Sequence, residues 1–290
     1  MDKKNELTNS ISTLITFMKK KRINTQEELL EKLVEYNFHE LFADSKYKEL
    51  GNGKTYEDGD CTKLAYAIYS IIWSSKMKEL GILEFTETNF GKYKNSFSGD
   101  TINTFYTLFG KTDKAQERVL NILEFDENQK EIYDKFKKQY QTIGNFYFLP
   151  KNTINRRSIN SYRGIKWNDF FDIFLNKLKN VMNDNNFCEV EFVNLYNENR
   201  FFFDKVKPID NFIHLFYLED KKEHYNYLDN FVFDDKDHLY RHDMLSKKNK
   251  DSYKKFAIDY MTKANELIEK RSRVIIRELR KSLKEFNISL

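Results

Sequence analysis

The chain has 290 residues, with 49 Lys or Arg against 45 Asp or Glu for a net charge of +4, and aromatic residues make up 16% of it. That ring content excludes a disordered chain, and two cysteines far apart, Cys61 and Cys188, exclude a disulfide framework or a paired-cysteine zinc knuckle. No apolar stretch reaches the roughly 18 residues of a membrane span, and the N-terminal apolar run ends in four basic residues, unlike a secretory segment, so a cytoplasmic protein with no membrane partner is expected.

Taken in order, the segments read mostly as helix. A helix over about 5 to 20 is followed by Thr25 and Glu28, a capping-box pair, and then by Leu29, Leu30, Leu33 and Val34 at helical spacing, so a second helix spans about 25 to 41. The Gly51 to Asp60 segment reads as an exposed loop, with Asp60 as the N-cap of a core helix over 61 to 80 that ends at Gly81. Residues 84 to 112 are read as irregular around short extended or helical pieces, 128 to 141 as a charged helix, and Asn145 to Leu149 as a short strand or extended run stopped by Pro150. Helices are expected over about 167 to 182, 187 to 203 and 208 to 218, with Asp169 in the first turn of the first of these. The acidic, aromatic stretch 219 to 243 reads as a connector. Apolar residues from Tyr253 to Phe286 recur every three or four positions, which predicts one long C-terminal helix over about 251 to 286.

These elements make a mainly α-helical globular protein with a few short strands or extended segments and a long C-terminal helix. No Pro-rich or Gly/Ser-rich linker divides it, so residues 1–290 are expected to form a single domain. Any sub-structure would set a helical core, 1–218, beside the acidic connector and basic helix of 219–290.

Charge is distributed unevenly. Residues 244 to 290 hold 13 Lys or Arg against 6 Asp or Glu, so the basic character belongs to the last helix. Arg271, Arg273, Arg277, Arg280, Lys281 and Lys284 are the candidate binding residues, the last five sharing one stripe at helical spacing. A basic stripe recruits polyanions by counterion release, although a solvated helix face has the same composition.

Catalytic signatures are scarce. The chain has no phosphate-binding glycine loop, no serine-hydrolase elbow and no zinc-protease pair of histidines. His238 and His242, spaced i, i+4 among aspartates, are a weak candidate metal pair, for which a polar turn is the simpler explanation. No cofactor is expected. Arg241 and His242 are adjacent, not four to six residues apart as in helical-bundle nucleases that hold phosphate with Arg and move a proton with His.

The middle of the chain is the most distinctive. Asp100-Thr101-Ile102-Asn103 precedes Ile143-Gly144-Asn145-Phe146, then Tyr162-Arg163-Gly164, then Asp169-Phe170-Phe171-Asp172. Small polar side chains between rings imply buried amides that bind backbone and fix loops. This combination resembles an uncharacterised bacterial protein family with the pattern DTxNxF, IGNFxxLP, YRG and DxFDxFL across about 97 to 182. The resemblance implies no particular function; its motif residues here are Asp100, Thr101, Asn103, Gly144, Asn145, Tyr162, Arg163 and Gly164. The segment from Ile143 to Pro150 is also similar to the stretch after the catalytic finger of HNH-type restriction endonucleases, but no histidine lies between Cys61 and Asn145 to activate water.

The expected function is therefore a non-catalytic cytosolic binding protein. Its partner would be nucleic acid, RNA or DNA, or a nucleic-acid-processing protein, in a setting of phage and bacterial conflict such as a defence component or an inhibitor of a guided nuclease. The alternative is a metal-dependent nuclease or nucleotide-processing enzyme built from Asp100, Asn103, Asn145, Arg163, Asp169 and Asp172. A homo-oligomer paired through the C-terminal helix is a further expectation.

Overall fold

The structure, a computed structural model, describes residues 3–38, 62–82, 97–150, 169–183, 189–233, 237–241, 244 and 249–285. The chain begins with helices α1 (Lys3–Lys21) and α2 (Gln26–Glu35). Thr25 starts α2 as the sequence predicts. Its hydroxyl accepts the Glu28 N–H at 3.1 Å while the Glu28 carboxylate accepts the Asn24 N–H at 3.0 Å, a cap of about 1 kcal/mol. Helix α3 (Lys63–Glu79) is capped by Thr62, whose hydroxyl accepts the Ala65 N–H; the expected cap, Asp60, and the acidic loop before it lie outside the described residues.

Strand β1 (Phe97–Thr101) runs antiparallel to β2 (Phe146–Pro150), pairing Asp100 with Tyr147 and Thr101 with Phe146. Between them lie α4 (Tyr106–Phe109), α5 (Asp113–Leu123), α6 (Glu127–Gln139) and a 3-10 turn (Ile143–Asn145). The strand β1 and helix α4 are short extended and helical pieces of the kind expected within 84 to 112, of which 84–96 lie outside the described residues, and helix α5 fills the unassigned stretch after them. Helix α5 escapes a periodicity reading because Gln116 occupies a buried position, its amide donating to the Gly110 carbonyl at 3.3 Å. Its end is also masked, since Glu124 takes the left-handed conformation normally left to glycine.

Next come α7 (Phe171–Asn183), α8 (Val190–Glu198), α9 (Arg200–Phe203) and α10 (Ile209–Leu215). Helix α7 starts after Asp169, so the carboxylate in its first turn is Asp172. The expected connector is folded instead. Its described residues form the hairpin β3 (Glu219–Asp220) and β4 (Tyr225–Asn226) and the turn of helix α11 (Tyr227–Asn230), and bury Tyr225, Tyr227, Phe231 and His238.

The last helix, α12 (Lys250–Glu285), organises the rest. At about 1.5 Å per residue it is about 54 Å long, and it packs on the 3-10 turn, α6, α3, α2 and α5. From Val274 to Ile276 three consecutive residues are buried, so the apolar face there is broad, while Arg273 and Lys281 keep one side of the helix in solvent. Its apolar positions from Tyr253 to Leu283 join one buried cluster that reaches back to Leu14. The apolar seam required for pairing this helix with a second copy is thus used inside the chain. Rings fill the space around it: Phe148 lies 5.5 Å from Trp73 and 4.9 Å from Phe216, and the Trp73 indole N–H donates to the Leu215 carbonyl at 2.7 Å. Among the described residues, no helix is long and apolar enough to cross a membrane.

Candidate functional site

The first two motif segments meet where β1 and β2 end. The Ile102 N–H donates to the Asn145 carbonyl at 2.8 Å. The Asn145 side-chain oxygen accepts the Asn103 backbone N–H at 2.8 Å and its amide at 3.0 Å, and the Asn145 amide donates to the carbonyls of Asn103 at 2.9 Å and Tyr140 at 2.8 Å. Two donors and two acceptor positions are all an asparagine side chain has, and here all are used in a fully buried place. Asp100 is half-buried, its carboxylate accepting the Thr101 N–H at 2.8 Å and the Tyr147 hydroxyl at 3.3 Å. Asn103 and Asn145 thereby tie chain to chain, facing inward. Tyr162, Arg163 and Gly164 lie outside the described residues.

Asp172 and His238 form the most secluded titratable pair. The imidazole Nε2 lies 2.8 and 3.0 Å from the two carboxylate oxygens, and one of these also accepts the Phe233 N–H at 3.0 Å; the side chains are 3% and 0% exposed. Phe170, Phe233 and Phe256 surround the imidazole at 4.7 to 5.8 Å. Nearby, burial first and the Asp172 charge second push the Tyr227 and Tyr260 hydroxyls above the ordinary phenol range. His238 thus has a carboxylate partner sixty-six residues away rather than a companion histidine, and His242 lies outside the described residues. Among the described residues, no group of three or more His, Cys, Asp or Glu side chains is placed to hold a metal ion, so Asp100, Asp169 and Asp172 do not converge. Removing the carboxylate in Asp172→Ala takes away the acceptor that the imidazole Nε2 and the Phe233 N–H share in this buried place. We expect a loss of about 3 kcal/mol in chemical denaturation; a neutral variant would show that the pair is not needed for folding.

The basic residues of α12 divide sharply. Arg271 is not on a surface: it is 0% exposed, with Nε donating to the Phe216 carbonyl at 2.8 Å and Nη1 to the Gly144 carbonyl at 2.7 Å, while Nη2 has no partner. Burial lowers its pKa to about 10, opposed by the hydroxyls of Tyr225, Tyr69, Tyr217 and Tyr147. Arg271 therefore leaves the set of binding residues, because no partner can reach it. The others are stitched to their own fold. Arg273 bonds Glu223 at 2.6 Å, Arg277 bonds Asp220, Arg280 grips Glu27 with two bonds at 3.1 and 2.6 Å, and Lys281 pairs with Glu278 at 2.7 Å. Burial raises the Asp220 pKa, but the Glu223 N–H and the Arg277 guanidinium outweigh it and hold this carboxyl below its usual value. Lys284 remains exposed.

One cluster near Arg271 carries no sequence signal. Lys76, in the last turn of α3, places its amine 3.8 Å above the Tyr217 ring and donates to the His214 carbonyl at 3.1 Å. Tyr217 sits just beyond α10 at a left-handed φ of 52°, its carbonyl accepting the Tyr225 hydroxyl at 2.6 Å. Burial pushes the Lys76 amine down to about 8, with Glu278 and Glu79 acting in the opposite sense, and burial with the Lys76 charge lowers His214. Perturbed groups gathered in this way mark a candidate site. An amine half-deprotonated near pH 8 should acylate ahead of the exposed lysines in a limiting-reagent experiment read by peptide mass spectrometry. Equal or slower labelling would mean that the ring holds the ammonium more firmly than burial weakens it.

No curated protein and no solved structure matches the chain. A family model does, over residues 35–275, spanning the motif knot, the buried Asp172–His238 pair and most of α12. The chain belongs to this family, described as a family of unknown function (DUF6994).

Proposed function

We propose that this protein is a non-catalytic binding protein that acts in the cytosol on a macromolecular partner, either nucleic acid or a nucleic-acid-processing protein. The observation that supports this reading is the use made of Asp172. The carboxylate most favourably placed for acid–base or metal chemistry accepts from His238 and from the Phe233 N–H, and is 3% exposed. A catalytic carboxylate must reach substrate or water, whereas this one joins α7 to the segment that follows Phe233. Asn103 and Asn145 are spent in the same way. What the chain offers a partner is surface, and on α12 that surface is basic.

The test is incubation of the full chain with labelled RNA and DNA in the presence of Mg or Mn. Expected is stoichiometric binding with intact nucleic acid, or, where a protein is the partner, co-purification of that protein from the native host. Cleavage that disappears in Asp100→Ala, with the fold retained, would establish the alternative enzyme and end this reading. Recovery of a guided nuclease or a phage protein would place the chain in phage and host conflict.

A further inference from the structure

Helix α1 ends in three exposed lysines, Lys19, Lys20 and Lys21, followed by exposed Arg22. The ending is hydrogen-bonded in a specific way. The Ile23 N–H donates to the Met18 carbonyl at 2.9 Å and the Arg22 N–H to the Lys19 carbonyl at 3.3 Å, which places Arg22 at the left-handed position where helices normally use glycine. Arg22 adopts φ 55° there, and buried Ile23 pins the turn behind it. A long cationic side chain thus stands at a position where glycine would be less strained. Strain retained at an exposed tip points to a use for the side chain.

The fold brings a second basic element to the start of α2, the helix that follows this tip. Glu27, in the first turn of α2 and five residues beyond Arg22, is clasped by both arms of Arg280, and Lys284, one turn further along α12, lies close enough to help hold the Glu27 carboxyl below its usual value. Segments at opposite ends of the sequence therefore share one surface. Arg280 is committed to Glu27 and Lys281 to Glu278. Lys19, Arg22 and Lys284 are exposed and, among the described residues, have no carboxylate within ion-pair distance.

We propose that the tip of α1 and the last turns of α12 form one docking surface for the phosphodiester backbone of nucleic acid, with Lys19, Arg22 and Lys284 contacting phosphates. This rests on the binding-protein reading and names its partner. Chemistry selects among polyanions. Protein interfaces bury aromatic and apolar groups and are depleted in lysine, and helices that lie on membranes insert an apolar face. Here the apolar residues of α1, Leu14, Phe17 and Met18, point into the core, and the large exposed hydrophobic residues among those described, Val190 and Phe201, belong to α8 and α9. Among the described residues this surface is charged and has no apolar anchor, which suits phosphates, since these require only cations.

The experiment is fluorescence anisotropy of the full chain against a labelled duplex DNA and a single-stranded RNA, in parallel with anionic phospholipid vesicles. Three phosphate contacts on a duplex give about fortyfold weaker binding as salt rises from about 50 to 200 mM. The triple variant Lys19→Gln, Arg22→Gly, Lys284→Gln should bind more weakly, with a log–log salt slope shallower by about 2.7. The single variant Arg22→Gly should lose about 0.9 of that slope while its thermal midpoint stays level or rises, since glycine fits the turn. Unchanged affinity and slope in the triple variant, beside a wild type that binds, would remove this surface and leave the binding reading standing. A wild type that ignores nucleic acid, or that binds vesicles through these residues instead, would overturn the assignment of the partner.

Discussion

Gly144→Ala is expected to lower stability by about 3 kcal/mol, read as a shift of the denaturant midpoint with an unchanged slope. The reason is a close approach between two backbones. A methyl group built on Gly144 would lie 2.1 Å from the Ser272 Oγ and 2.3 Å from the Ile268 carbonyl oxygen. Neither distance is tolerable, and the 3-10 turn would have to move away from α12. That movement also lengthens the bond from Arg271 to the Gly144 carbonyl and disturbs Asn145 beside it. A second substitution separates side-chain from backbone crowding. Ser272→Gly removes the hydroxyl but not the Ile268 carbonyl, so the double variant should recover only part of the loss. Full recovery would show that the helix backbone is not what excludes the methyl group.

Much of this arrangement can be read from the residues, because capping and periodicity are local. Thr25 and the spacing of Leu29, Leu30 and Leu33 mark a helix within a few turns of chain. The role of α12 is not local. Its Arg and Lys residues have the spacing of an exposed stripe, while acids that neutralise its arginines come from far away: Asp220 is 57 residues from Arg277, and Glu27 is 253 residues from Arg280. No window on the sequence contains both members of such a pair. Arg271 does have a local signature. Leu267, Ile268, Val274 and Ile275, at three and four residues on either side, place it on the apolar face, where a cation is rare enough to be informative. Asp172 lacks that signature, since the residues three and four positions from it are Asn168, Asp169, Leu175 and Asn176. Its partner His238 lacks it too, since only the tertiary fold brings the 237–241 segment to α7. Lys76 lies in an ordinary helical sequence and becomes unusual only when Tyr217 is placed beneath it. Sequence pattern reports which positions are buried; it does not report which polar group each buried position meets.

Asn145 gives the second large effect, and two replacements distinguish its donors from its acceptor. In Asn145→Ala, the Asn103 N–H and the carbonyls of Asn103 and Tyr140 all lose the partner they have in this buried knot, and a small void opens. A loss of about 4 kcal/mol is expected, with β1 and β2 no longer held in register at their ends. Asn145→Asp keeps the acceptor for Asn103 but aims a carboxylate oxygen at two carbonyls. Burial and those carbonyl dipoles disfavour the ionised form, so the folded-state pKa of the new carboxyl should rise above its unfolded value of about 3.9. The sign of the pH dependence follows. Relative to the wild type, the variant should be most stable below about pH 4, where the carboxyl is protonated and can still donate one hydrogen bond. It should lose stability as pH rises through the elevated folded-state value. Denaturation of both proteins across that interval measures the difference directly. A gap that stays constant with pH would mean that water reaches position 145, and that the Asn103–Asn145 knot is less enclosed than its geometry indicates.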